Sequence, residues 1–328
     1  MKQELFEARH GAEWREFEDW IDGRSRNRAG RDPAQDNVIA ADMPRRYRRV
    51  CQHLALARDR GYGGDIVDRL HGMAVGGYHA LYARPVQPRS ELLAFVRAGF
   101  PRLVRSERRT LAAAALLFFG PLAGMVVLLQ YFPDLVYYFI TPDRLAGIEN
   151  MYDPKAERLG RTPEADTAFH MLGVYIWNNI RIAFQTFAGG LLFGIGTLFF
   201  LLFNGLFIGA VAGHLTQAGY AETFWSFVSG HSALELTGIV LAGAAGLKLG
   251  MALVAPGRLS RNQALIAAAR RGAGLIYGAA GMLFIAAFVE AFWSPLTEVA
   301  PQIKYGAGIA LWLAVAAYFL QVGRGRGA

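Results

Sequence analysis

Residues 230–238 read GHSALELTG, which sets His231 and Glu235 four positions apart, so that on a helix an imidazole and a carboxylate share one face. Histidine titrates near neutral pH, and a neighbouring carboxylate can relay a proton or hold a cation. Such a pair also presents two metal ligands from one face, and His214 offers a third from the preceding apolar run. The fuller H-E-x-x-H pattern of a zinc protease helix is absent, so an intramembrane hydrolase is set aside. The expectation is no catalytic residue, no metal and no cofactor.

Other polar residues stand in equally apolar surroundings. YIWNNIRIAF carries Asn178, Asn179 and Arg181, and LLFNGLFIGAV carries Asn204. A charged side chain at mid-bilayer costs about 2.5–3.5 kcal/mol on insertion scales, so such residues are expected to face protein or water. Asn178, Asn179, Arg181, Asn204, His231 and Glu235 therefore form a candidate intramembrane polar cluster, with Arg181 as partner of Glu235. The cluster reads either as an interhelical polar clamp or as an ion or solute site. Glu290, beside Trp293 and Pro295, and Lys248, near the far end of its run, read as side chains snorkelling to an interface.

No P-loop pattern is present, and the glycine runs GGLLFGIG and GAAG lie in apolar stretches, where they read as close helix contacts. Gly190 and Gly194 have the G-x-x-x-G spacing, and Gly205 and Gly209 repeat it. Spacing leaves open whether the neighbour is another span or another subunit.

These residues need elements to position them, and composition names the class. Of 328 residues 53% are hydrophobic and only 18% charged, and the mean hydropathy is +0.23. That is too apolar for an ordinary soluble domain and points to an all-α polytopic membrane protein. The formal charge of +8 is concentrated early, with Arg24, Arg26, Arg28, Arg31, Arg45, Arg46, Arg48, Arg49, Arg102, Arg105, Arg108 and Arg109 all preceding the first long apolar run. No nucleic-acid module accompanies them, and anionic lipid headgroups are the simpler partner. The start, MKQELFEARHGAEW, lacks the apolar core of a signal peptide, so the basic part is expected in the cytosol. A single cysteine, Cys51, excludes an intrachain disulfide and a cysteine zinc cluster.

Residues 1–108 read as a cytosolic helical domain and 109–328 as a transmembrane helical domain. Phe6, Trp14, Phe17 and Ile21 recur at helical spacing, RSRNRAGRDPAQD reads as a loop, and two helices follow over about 43–60 and 64–82. Arg84-Pro85 to Gln87-Pro88 is a break. SELLAFVRAGFPRLVRSERR then mixes Leu92, Leu93, Phe95, Val96 and Phe100 with Arg97, Arg102 and Arg105, the composition of an interfacial amphipathic helix or of an ordinary packed one.

About 20 apolar residues cross the hydrocarbon core as a helix. Thr110–Phe132, Ser232–Val254, Gly272–Trp293 and Tyr305–Val322 qualify, and 168–217 is long enough for two crossings. Two divisions of it are open: spans at 168–187 and 190–213, or an interfacial helix at 168–182 with the turn at Asn204-Gly205. Arg258, Arg261, Arg270, Arg271, Arg324 and Arg326 mark cytoplasmic segments, whereas 133–168 carries more acids than bases. About six spans with both termini cytoplasmic satisfy these constraints and set His231 and Glu235 near the outer end of the fourth.

The run from WNNIRIAFQTFAGGLLFGIGT through SGHSALELTGIVLAGAAGLKLG resembles the core of the stage II sporulation protein M family. The likeness rests on Asn178-Asn179 before a basic residue, the glycine-rich span ending in Thr197, Asn204-Gly205 with Gly209, and His231-x-x-x-Glu235-Leu236. RRYRRVCQHLALARDRG and GGYHALYARP extend it into the basic part. The family's His is usually followed by Gly, where this chain has Ser232. In spore formers the resemblance implies a scaffold holding septal cell-wall hydrolases. This Arg/Ala/Gly-rich chain looks more like the branch outside spore formers, whose relatives are encoded beside RDD-type membrane proteins and MoxR-type ATPases. The implied function is a non-enzymatic, homo-oligomeric assembly protein of the bacterial inner membrane. A transporter or channel using the polar cluster is the alternative.

Overall fold

A computed structural model describes residues 2–25, 33–82, 88–161 and 167–324. Among these the chain is helical, with no strand beyond a single bridge between Arg158 and Leu296. It divides into two compact units, Met1–Pro88 and Arg89–Ala328.

The first unit is built from α1 (Gln3–Ser25), α2 (Pro33–Asp59) and α3 (Gly64–Tyr82). Most of the segment read as a loop after Ser25, and the Arg84–Gln87 break, lie outside the described residues. Phe6, Trp14 and Phe17 repeat on one face of α1 and enter a core with Met43, Val50, Ile66, Leu70 and Met73. The Trp14 indole N–H donates to His53 Nδ1 at 3.0 Å, so the buried ring has a partner. Arg49 meets Glu13 at 2.9 Å and Arg69 grips Glu18 with two bonds of 2.9 and 2.7 Å. These surface pairs fix register and contribute about 0–1 kcal/mol each.

The second unit opens with α4 (Pro88–Ala94), a π-helical turn at Phe95–Gly99 and α5 (Phe100–Ser106). This is the amphipathic segment, and its two faces differ: Leu92, Leu93 and Val96 are exposed, whereas Ala98, Phe100 and Val104 are buried. Contacts place the boundary between units at Pro88 rather than near residue 108, because the segment docks on the helices that follow. Phe100 fills the space left by Gly278, where an added Cβ would lie 2.0 Å from the ring. Arg105 donates to Phe319 O at 2.6 Å and Arg102 to Gly323 O at 2.7 Å, satisfying carbonyls at a helix C-terminus.

The bundle comprises α6 (Arg108–Tyr131), α7 (Pro142–Met151), α8 (Ala168–Ala188), α9 (Ile195–Gln217), α10 (Ala221–Ser229), α11 (Ser232–Val254), α12 (Arg261–Phe288) and α13 (Pro301–Gln321). Among the described residues, five helices are long and apolar enough to cross a membrane: α6, α9, α11, α12 with its π-helical extension to Trp293, and α13. α8 has the length, 21 residues, but Asn178, Asn179, Arg181 and Gln185 lower its hydropathy. The region 168–217 thus follows the first division, two helices joined by a short 3₁₀ turn at Gly189–Leu191. α12 starts at Arg261 behind a Ser260/Gln263 capping box, so Arg270 and Arg271 ride on a helix instead of a loop, and the connection is only 255–260.

α11 occupies the middle of the bundle because GIVLAGAAGL offers small residues on every side, and Gly238 through Gly246 are all buried. Leu116, Phe184, Phe199, Phe284 and Leu313 point outward and are exposed, as lipid-facing residues are.

Candidate functional site

His231 is the residue at which α11 begins and Glu235 lies one turn in, so both project from the same end and face of that helix. Opposite them α12 presents a stripe of buried residues, Leu275, Ala279, Leu283 and Ala286/Ala287. Continuing that stripe by one turn gives Glu290, in the π-helical turn Val289–Trp293. His231 Nε2 lies 3.6 Å from Glu235 Oε2. One ligand atom each from His231, Glu235 and Glu290 lies within 4.8 Å of the other two.

Two of the trio are enclosed, His231 being 3% exposed and Glu290 9%, while the Glu235 side chain is 18% exposed. The other ring nitrogen of His231, Nδ1, is 3.0 Å from Ser294 Oγ, which holds the ring in place. Phe227 packs edge-on against the imidazole, with centroids 5.3 Å apart. Asn179 of α8, 2% exposed, stands beside Glu290. Its Nδ2 and Glu290 Oε2 are both buried without a hydrogen-bond partner. Between α7 and α8, burial and the nearby Glu290 and Glu235 carboxylates push the Tyr152 phenol above its ordinary range, so it stays neutral. Tyr175 completes that wall and donates to Gly160 O at 2.9 Å.

The remaining sequence candidates separate from this centre. Asn178 bonds to Asn179 Oδ1 at 3.3 Å, and Arg181 donates to Asn178 Oδ1 at the same distance. Arg181 is exposed and forms no ion pair with Glu235 among the described residues, which corrects the expected partnership. Two residues along a helix turn the side chain by about 200°, so with Asn179 facing inward Arg181 faces outward. Asn204 donates to Phe200 O of its own helix at 2.7 Å. His214 is no third ligand, since its Nε2 meets Glu149 Oε1 of α7 at 2.7 Å.

Glu290 and Lys248 are also corrected, for neither snorkels. Lys248 pairs with Glu107 Oε2 at 2.6 Å, and Arg271 approaches the same carboxylate at 3.5 Å. This second polar group lies on α11 about 25 Å from His231, next to a cavity lined by Lys248, Pro256, Leu259 and Arg271.

The glycines find neighbours within the chain. Gly190 and Gly194 do not form one helix face: Gly190 lies in the 3₁₀ turn, and Gly194 precedes α9 with a φ of +84°, which a side chain would strain. Both abut α11, at Gly246 and Gly250. Gly205 and Gly209 pack α9 on α6, against Phe118 O and Leu122 O.

Comparison with known families adds identity to this geometry. Residues 113–295, more than half of the chain, match the family described as Stage II sporulation protein M. The chain belongs to that family. The stage II sporulation protein M match runs from the first turns of α6 past the π-helical turn, so it contains His231, Glu235, Glu290, Asn179 and Ser294. Residues 4–83, nearly the whole first unit, match a domain of unknown function (DUF8413). No curated protein and no solved structure matches the chain.

Proposed function

We propose that this stage II sporulation protein M family member is a non-enzymatic assembly protein of the bacterial inner membrane. Its bundle serves as a rigid anchor and its first unit as the docking element for partners, with both on chains that associate with copies of themselves. The observation that carries the reading is the closure of the bundle by backbone contact. At Gly190 against Gly246 an added Cβ would lie 2.2 Å from a carbonyl oxygen, and at Gly205 against Phe118 2.4 Å. Helices meeting at such range have little freedom to part and rejoin, which suits a scaffold better than a moving transport path. The arginines around 258–271 and at 324 support cytoplasmic termini. RDD-type membrane proteins and MoxR-type ATPases are the partner classes to look for.

The docking element offers a candidate face. Val75 and Tyr78, neighbours on α3, are 44% and 55% exposed although apolar or aromatic. Tagged full-length chain is purified from native membranes in mild detergent, beside a Val75→Glu/Tyr78→Glu variant. The expected result is co-purification of membrane or ATPase partners with the native chain and their loss with the variant, at unchanged insertion. Recovery of the chain alone in both cases overturns the proposal. The closeness of half-buried Glu235 to buried Glu290 favours the transport alternative, for which ion flux in proteoliposomes that falls in Glu235→Gln is the deciding result.

A further inference from the structure

We infer that His231, Glu235 and Glu290 form a binding site for a divalent first-row transition-metal ion within the membrane bundle. The inference stands apart from the scaffold proposal and holds or fails without it.

Three observations converge on a cation. First, the donor set is right: one imidazole nitrogen and two carboxylates bring two negative charges to a dication, leaving a neutral site suited to low-dielectric surroundings. Second, the spacing is close to that of a metal polyhedron. Ligand bonds of about 2.1 Å at tetrahedral angles put ligand atoms about 3.4 Å apart. His231 Nε2 and Glu235 Oε2 stand at 3.6 Å, and one ligand atom from each of the three residues lies within 4.8 Å of the others, a range that small side-chain adjustments close.

Third, the trio lacks the partners that a purely structural group would have. A buried carboxylate beside a second, half-buried one is costly unless a counter-charge stands by. Neither carboxylate has a lysine or arginine at ion-pair distance among the described residues. Arg181 is exposed and turned away, and Lys304 donates to Ser294 O at 2.7 Å. Glu290 Oε2 is left buried without a hydrogen bond, as is Asn179 Nδ2 beside it. A metal ion on Glu290 Oε2 satisfies the first and, by drawing in the carboxylate, leaves its second oxygen to accept from the Asn179 amide.

The imidazole is also held as a metal-binding imidazole is: with Nδ1 donating to Ser294 Oγ, His231 keeps its lone pair on Nε2, the nitrogen 3.6 Å from Glu235 Oε2.

The test uses the full chain in detergent or nanodiscs, purified without chelators, its metal content read by mass spectrometry and its thermal midpoint followed on adding zinc or manganese alone. The expected result is a stoichiometric metal, a midpoint raised by zinc or manganese and lowered by a chelator, and loss of both responses in Glu290→Gln and His231→Asn. Ser294→Ala should bind about 10–100-fold more weakly. His214→Asn, whose partner is Glu149, should bind as the native chain does. If Glu290→Gln does not fold, the native chain's thermal response and the Ser294→Ala affinity decide. A native chain that neither carries nor takes up either metal, or uptake unchanged in the Glu290 and Ser294 variants, overturns the inference.

Discussion

Gly190 rests directly on Gly246: a methyl group on the first would come within 2.2 Å of the carbonyl oxygen of the second. Nothing flexible stands between them, so Gly190→Ala must push the α8–α9 turn off α11. The expected cost is about 1–3 kcal/mol or more, measured as a lower unfolding midpoint in detergent. Gly281→Ala, with nothing within 4 Å of its Cβ, is the control and should leave the midpoint unchanged or higher.

Lys248→Met strands Glu107. That carboxylate is 6% exposed, and Arg271 at 3.5 Å is its remaining ion-pair partner in the described structure. Removing one member of a buried pair costs about 3–5 kcal/mol, whereas replacing both often costs little. Lys248→Met should therefore destabilise more than Lys248→Met combined with Glu107→Gln, and a double-mutant cycle on thermal midpoints reads the coupling.

Acid should loosen the first unit before the bundle. Burial holds the His53 ring below its ordinary 6.5, with His10 and Arg49 adding to the effect and Glu13 opposing it. His10 is lowered by burial too, with Arg9 and Arg49 acting the same way. For a depressed histidine the unfolded chain binds more protons, so stability is full above the unfolded pKa and declines as pH falls from 6.5 toward the folded value. Protonation at Nδ1 also removes the acceptor for Trp14. Hydrogen exchange across residues 2–82 should quicken over that window in the native chain and much less in His53→Gln.

The direction of the spans is open to labelling because Cys51 is the sole cysteine. In a Cys51→Ser background, cysteines placed at Asp153 and Glu298 should react from one side of the membrane and one at Gly257 from the other. Labelling of all three from the same side would refute six crossings.

Much of the bundle was readable because long apolar runs state their own purpose. α6 and α11 match the expected spans within a few residues. α8 shows where such reading weakens: its polar residues look like a cluster in one dimension, and helical rotation then divides them, Asn179 inward and Arg181 outward. Glu290 is hidden for a related reason: Trp293 and Pro295 suggest an interface, while the decisive signal is periodic, since Glu290 continues the buried stripe through Ala279, Leu283 and Ala287. The pairing of Lys248 with Glu107 joins residues 141 apart in the chain, and no local pattern announces it.

α12 runs unbroken for 28 residues, about 42 Å, against a hydrocarbon thickness of about 30 Å. One end carries Arg261, Arg270 and Arg271, and the other passes into the π-helical turn that holds Glu290. A helix of that length holds its arginine-bearing end and its carboxylate-bearing end at one set separation, toward opposite faces of the hydrocarbon layer.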